Sequence, residues 1–245
     1  MVNRTKSPSK TNNKKLVAVA GAGIVATAVG IGGYSLGIAT SDGLRDAPEN
    51  YSISQQEYTA LEKSISSLKT RKSTDAIPEY DRSSLPTDWR DLDGNGCNTR
   101  EDVLKNNLRK YARFDGCKVT SGTLYDYYNG KILKYDKNVD AGGGIQIDHI
   151  VAIGNAWISG GYEWANDAWI TYINDDNVLI PTASSTNREK SDKDITEWQP
   201  ANFNFICAYM KKQVEIKNNY NLTVTAEEKV TFKNILQTNC IVSDN

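Results

Sequence analysis

The sequence predicts an α+β domain in which helices outweigh strands. Several segments repeat apolar residues at helical spacing, while short apolar runs stand between Gly- and Asn-rich turns. The two signals are interleaved along the chain. Apolar residues make up 39% and charged residues 24% of the 245, a globular composition and not a disordered one.

Taken in order, residues 1–15 are polar and basic and run straight into Leu16–Ala39, 24 residues without a charge. A helix needs about 20 such residues to cross a bilayer. The stretch reads either as a membrane anchor, its amino end held inside by Lys14 and Lys15, or as a long cleaved signal. Both readings place the rest of the chain outside the cytoplasm. Residues 40–75 read as a linker with a helix. Ser54 and Glu57 have capping-box spacing, and Tyr58, Leu61, Ile65 and Leu68 recur on one face to about Lys69. That helix is a stalk or a packing element. A polar, Pro-containing stretch follows, so the domain boundary is placed near residue 76, with 76–245 as the functional domain.

Within that domain the turn-rich WRDLDGNGCNTRED leads into an expected helix over 101–111. TLYDYYNGKILKY reads as short strands, and the AGGG loop feeds an apolar run, IQIDHIVAI, as a strand. Helical pieces carrying Trp157, Trp164 and Trp169 follow, with the tryptophans as core. NVLIP is a short strand, 186–198 a polar helix, 203–219 a further helix, and 226–236 the last.

Charge limits the function classes. From residue 76 onward there are 19 Lys+Arg against 24 Asp+Glu, a net of −5, whereas residues 1–75 carry 10 against 6. A constitutive, tight polyanion binder shows a basic footprint, and the larger part of this chain has none overall. The four cysteines, Cys97, Cys117, Cys207 and Cys240, include no C-x-x-C pair, so spacing gives no zinc site. An even count in an exported domain reads as disulfides. Proximity favours Cys97–Cys117 and Cys207–Cys240 among the three pairings that four cysteines allow.

One histidine stands in the whole chain, His149, directly after Asp148. Alone in an apolar strand, such a residue is more often core than chemistry. The order of pieces changes that weighing: a strand ending in Asp148-His149, a second strand opening at Asn177, then a helix carrying Asn187 and Lys190. A neutral imidazole can take a proton from water near pH 7. A hard divalent cation takes oxygen from a carboxylate and an amide carbonyl. A cation beside the phosphate offsets charge building in the transition state.

The quoted segments DHIV, DNVL and TNREKSDKD resemble the HNH, or ββα-metal, nucleases. DLDGNGCNTREDVL upstream, NAW after the histidine, and EWQP with CAY downstream resemble a secreted GmrSD-type branch of that superfamily, over roughly residues 80–240. The resemblance implies a ββα-metal (HNH, or His-Me finger) core embedded in a mostly helical domain. It implies His149 as general base, Asp148 and Asn187 as ligands to Mg²⁺ or Mn²⁺, and Asn177, or alternatively Asn174, bracing the imidazole. Lys190 would touch the phosphate, with Lys193 a poorer choice, and Arg100 would serve as the transition-state cation or sit in a surface salt bridge. The expected substrate is nucleic acid, DNA in preference, cut with little sequence preference. No small-molecule cofactor is expected, and the sequence does not set an oligomeric state.

A second motif competes with the first. Asp91, Asp93, Asn95, Gly96 and Asp102 fit a calcium-loop spacing, although its last position normally carries Glu. It supports an alternative: a calcium-stabilised surface binding module, or a DNA receptor without catalysis.

Overall fold

Residues 109–136 build the largest sheet among the described residues, three antiparallel strands in the order β2(Arg109–Asp115), β3(Lys118–Asp126), β4(Lys131–Asp136). They are preceded by β1(Ser52–Ser54), α1(Gln55–Ser67) and α2(Thr99–Asn107). The computed structural model describes residues 51–72, 75–138 and 144–243. The anchor or signal segment expected over 16–39 lies outside the described residues, as does most of the AGGG loop. Among the described residues, no helix is long and apolar enough to cross a membrane.

The α+β class stands, with two more two-stranded sheets and seven α-helices among the described residues. The second half runs β5(Ile145–His149), α3(Ile153–Ile158), α4(Asn166–Ile173), β6(Leu179–Ala183), α5(Ser184–Lys190), α6(Ile206–Asn219), α7(Ala226–Asn239) and β7(Ile241–Ser243). β5 pairs antiparallel with β6, with Asp148 opposite Ile180 and His149 opposite Leu179. Helix α5 starts on the residue after β6, so β5, β6 and α5 form a strand–strand–helix unit.

Two expected helices are shorter than their patterns, each for a local reason. Helix α2 is capped by the Asn98 side chain accepting from Glu101 N–H, and it stops at Leu108. There the chain turns extended, because Leu108 is needed in the core with Leu104, Val119, Leu124, Tyr135 and Ile145. Gly122 of β3 makes room: a Cβ there would lie 2.8 Å from Leu108 Cδ2. The remainder of the expected helix becomes β2. Helix α5 ends where Ser191 takes a positive φ of 49°, and the following Asp192 turns back to accept from Gly154 N–H in the first turn of α3. Gly154 is required by that contact, since a Cβ would fall 2.5 Å from Asp192 Cγ.

Helix α1 behaves as a packing helix and not as a free stalk. Its capping box is present at Ser54 and Glu57, and its buried Leu61 and Ile65 pack toward α6 and α7. β1 pairs in parallel with β7, so packing crosses the boundary placed near residue 76. Just beyond α1, Arg71 joins a buried ionic cluster. Arg71 Nη2 lies 3.3 Å from Glu228 Oε2, and Lys217 Nζ lies 2.8 Å from Glu228 Oε1. Lys217 also donates to Asn155 Oδ1 of α3 at 2.8 Å, which ties α3, α6, α7 and the α1 exit together. The disulfides are Cys97–Cys117 and Cys207–Cys240, with Cα atoms 5.3 and 5.1 Å apart. The second joins the starts of α6 and β7.

Glu228 and Lys217 are fully buried and the Arg71 side chain is largely so, so a charge without its partner there is costly. Glu228→Gln leaves Lys217 and Arg71 without a counter-charge, and the expected loss is about 3–5 kcal/mol in urea unfolding. A loss under about 1 kcal/mol would show that water reaches the cluster.

Candidate active site

Pleating decides which residues of β5 face which helix. Gln146 and Asp148 share one face of the strand, and α5 lies across it. Asn187 and Lys190, one turn apart on α5, reach these two in register. Asn187 Nδ2 donates to Gln146 Oε1 at 3.0 Å, and Lys190 Nζ donates to Asp148 Oδ1 at 3.0 Å. Lys190 Nζ also donates to the His149 carbonyl at 2.9 Å. Tyr128, between β3 and β4, completes the cluster, its hydroxyl donating to Asp148 Oδ2 at 2.7 Å. Tyr128 is itself packed edge-on against Trp198 and Tyr209. Burial pushes the Asp148 carboxyl above its usual range, while the Lys190 ammonium and the Tyr128 hydroxyl pull the other way.

This arrangement corrects two expectations. Lys190 does not stand free to meet a phosphate: it is fully buried and paired with Asp148. Asp148 does not share an open site with Asn187, since both its oxygens already accept hydrogen bonds and an ammonium sits beside them. Mg²⁺ or Mn²⁺ does not fit between Asp148 and Asn187 as they stand, because the cation would be placed against the Lys190 charge.

His149, on the next pleat, meets different partners. Its Nε2 lies 3.1 Å from the carbonyl of Ile173, the last residue of α4. Helix ends leave carbonyls without an intrahelical partner, which makes this one available. A carbonyl only accepts, so Nε2 carries the proton and Nδ1 keeps the lone pair. The ring lies nearly parallel to Trp89, at 6.1 Å and 14°, and to Tyr172, at 5.9 Å and 20°. Tyr172 is held by donating to the Val151 carbonyl. Burial lowers the imidazole pKa to about 3; the Ile173 carbonyl opposes this, and the Lys190 and Arg82 charges add to it.

The remaining sequence-predicted residues are dispersed. Asn177 is exposed and donates to Asp175 Oδ1 at 3.0 Å, so it does not brace the imidazole. The alternative, Asn174, follows Ile173, is buried, and accepts from Arg90 N–H at 2.8 Å while donating to the Asp88 carbonyl at 3.3 Å. Arg100 forms a salt bridge with the adjacent Glu101 at 2.7 Å. Lys193 is exposed and donates to the Glu189 carbonyl. In the loop offered for calcium, Asp91 accepts from the backbone of Gly94, Asn95 and Gly96, and Asp93 accepts from Asn95. These hydrogen bonds hold the Asp91 carboxyl below its usual range, that from Gly96 foremost. Among the described residues, no three His, Cys, Asp or Glu side chains converge as a metal cage, those of Asp91, Asp93 and Asp102 included.

Sequence reasoning missed Trp89, Arg82, Tyr128 and Tyr172. The first two lie in segments that read as loop and turn, and the tyrosines carry no spacing signal. Only the fold brings them to β5.

Residues 98–235 match the family model for GmrSD restriction endonucleases, C-terminal domain. The chain belongs to this family. It is also similar to an uncharacterized secreted protein of Arthroderma benhamiae, 31% identical over 161 residues, which span 65% of this chain and 75% of that one. No solved structure matches it. The GmrSD match takes in the whole strand–strand–helix unit and both faces of β5, while Arg82 and Trp89 fall before its first residue.

The low imidazole pKa has a consequence for stability. Unfolded, His149 takes up a proton near pH 6.5; folded, it does so only near 3. Between these values the unfolded state binds the extra proton, so stability is fully present above pH 6.5 and declines as pH falls. The thermal midpoint is therefore expected to drop more between pH 7 and 4 than that of His149→Gln, whose amide can still donate to Ile173. Parallel curves for the two proteins in calorimetry would mean that the ring is not buried in its neutral form.

Proposed function

We propose that this chain is an exported endonuclease of HNH type that hydrolyses phosphodiester bonds of nucleic acid, with His149 as general base. The observation that carries the reading is the tautomer. Its Nε2–H is tied to the end of α4, so Nδ1 is left as the basic nitrogen at the close of the first strand of a strand–strand–helix unit. The family supports the nuclease class, its description being that of restriction endonucleases. Two disulfides and the secreted relative support export, since disulfides persist in oxidising compartments.

In the proposed step, water attacks phosphorus as Nδ1 of His149 takes its proton. The bond from phosphorus to the 3′ oxygen breaks, that oxygen takes a proton from solvent, and the product keeps a 5′-phosphate. A pKa of about 3 makes the ring a weak base in the substrate-free protein. An anionic phosphate beside it favours the imidazolium and raises that value as the substrate binds. Asp148, Lys190 and Tyr128 act as positioning residues: Lys190 fixes the His149 carbonyl, Asp148 holds Lys190, and Tyr128 holds Asp148. The metal dependence that the resemblance implies is not part of this reading, because the Asp148 oxygens are taken. DNA is the proposed substrate, and little sequence preference is expected with no recognition helix evident in the sequence.

Plasmid DNA incubated with the full-length chain should be nicked and then linearised. His149→Ala should lower the rate by about 100-fold or more, in the range of general-base contributions. Unchanged nicking by His149→Ala would remove the nuclease assignment from this site.

A further inference from the structure

The buried cluster that joins α3, α6 and α7 holds an uneven balance of charge. One carboxylate, Glu228, is in contact with two cations, Arg71 and Lys217. The first cation is matched: Glu228 Oε2 lies 3.3 Å from Arg71 Nη2 and also accepts from Thr225 N–H at 2.8 Å. Arg71 Nη1 donates to Ser159 Oγ and to the Thr223 carbonyl, which fixes the guanidinium. Lys217 is then the surplus charge, on a side chain with no exposure at all. A guanidinium keeps its proton in any protein, whereas a buried ammonium sheds it readily. Burial pulls Lys217 below the usual lysine range; Glu228 opposes the shift and Arg71 adds to it.

Two details set this cluster apart from an ordinary ion pair. Glu228 Oε1 lies 2.8 Å from Lys217 Nζ but off the hydrogen-bonding angle, and among the described residues it accepts no hydrogen bond. A buried carboxylate oxygen in that state is uncommon. The second detail is what Lys217 meets on its other side. Nζ donates to the side-chain carboxamide of Asn155 at 2.8 Å, and Asn155 is only 2% exposed. The C=O length then places Cγ of that amide within about 4 Å of Nζ. An amine, an amide carbon and an unoccupied carboxylate oxygen are thus held together away from water. Asn155 comes from the NAW stretch after the histidine, to which the nuclease reading gives no role.

We propose that Lys217 and Asn155 join in an intramolecular isopeptide bond, with Glu228 Oε1 as the carrier of the proton. The lone pair of the neutral Nζ attacks Cγ of Asn155, a nitrogen–carbon bond forms, and Glu228 takes one proton from Nζ. The bond from Cγ to Nδ2 then breaks, Glu228 passes the proton to the departing nitrogen, and ammonia leaves. No oxidant or reductant is consumed. Fixed proximity of the reacting groups replaces the activation that an amide needs in water. The product leaves Arg71 and Glu228 as a one-to-one pair, so the surplus charge disappears from the core. The new bond ties α3 to α6 across 62 residues of chain, in the way a disulfide would, beside the two disulfides already present. Nothing in this chemistry depends on the nuclease reading.

The test is mass spectrometry of a tryptic digest of the full-length chain, folded first and then unfolded in urea for digestion. Trypsin should fail to cut after Lys217, so residues 213–229 should be recovered joined to residues 138–188, about 17 Da lighter than the two peptides together. Neither peptide contains cysteine, so a disulfide cannot account for the join. Lys217→Arg, which keeps the charge but offers no amine to acylate, and Asn155→Ala should give no joined product. Glu228→Gln, which keeps the shape but cannot take the proton, should leave most of the chain unjoined. Cleavage after Lys217 with both peptides recovered separately from the wild-type chain overturns the proposal, whether or not the variants fold. A join that persists in Asn155→Ala overturns it too, and one that persists in Glu228→Gln removes Glu228 as the proton carrier.

Discussion

The arrangement around β5 depends on one buried contact, the Lys190 ammonium between the Asp148 carboxylate and the His149 carbonyl. Taking these two charges from water costs several kcal/mol each, and that is offset only when geometry is good and the remaining hydrogen-bonding positions are filled. Tyr128 fills one on the carboxylate. The contact therefore fixes more than a pair. It sets the spacing of α5 on β5, and it pins the backbone of His149 from one face of the strand, leaving the side chain to the other.

On that other face the imidazole is governed by packing. Trp89 and Tyr172 flank it, and the carbonyl at the end of α4 sets the tautomer. Burial and two nearby cations all favour the neutral ring. The strand thus divides its work. The Asp148 face is closed and ionic and holds position, while the His149 face carries a nitrogen lone pair. Asn174 joins that face to the stretch before α2, so the imidazole and that stretch share one support.

Much of this was legible in the chain. The α+β class, the capping box at Ser54, the last two helices, the disulfide pairing by proximity and the singular position of His149 were all readable from spacing and composition. These features depend on neighbours within a few residues, or on a residue type that occurs once. Where long-range packing competed with local pattern, the pattern lost. Leu108 leaves its helix for a core built by β3 and β4, and Ser191 ends α5 so that Asp192 can reach Gly154.

The candidate site shows the same division. The sequence by itself determined which polar residues β5 and α5 bring together, because Asp148, His149, Asn187 and Lys190 stand in a fixed order on short elements. Only the tertiary structure decided what each of them does. Adjacent residues on a strand point to opposite faces, so Asp148 goes to Lys190 and His149 to Ile173. The linear spacing that makes the two look like one cluster cannot record which neighbours each face will meet. Nor can it record that Trp89, sixty positions earlier, folds back onto the imidazole, since that return depends on hydrogen bonds from Trp157 and Asn174, which have no local signature.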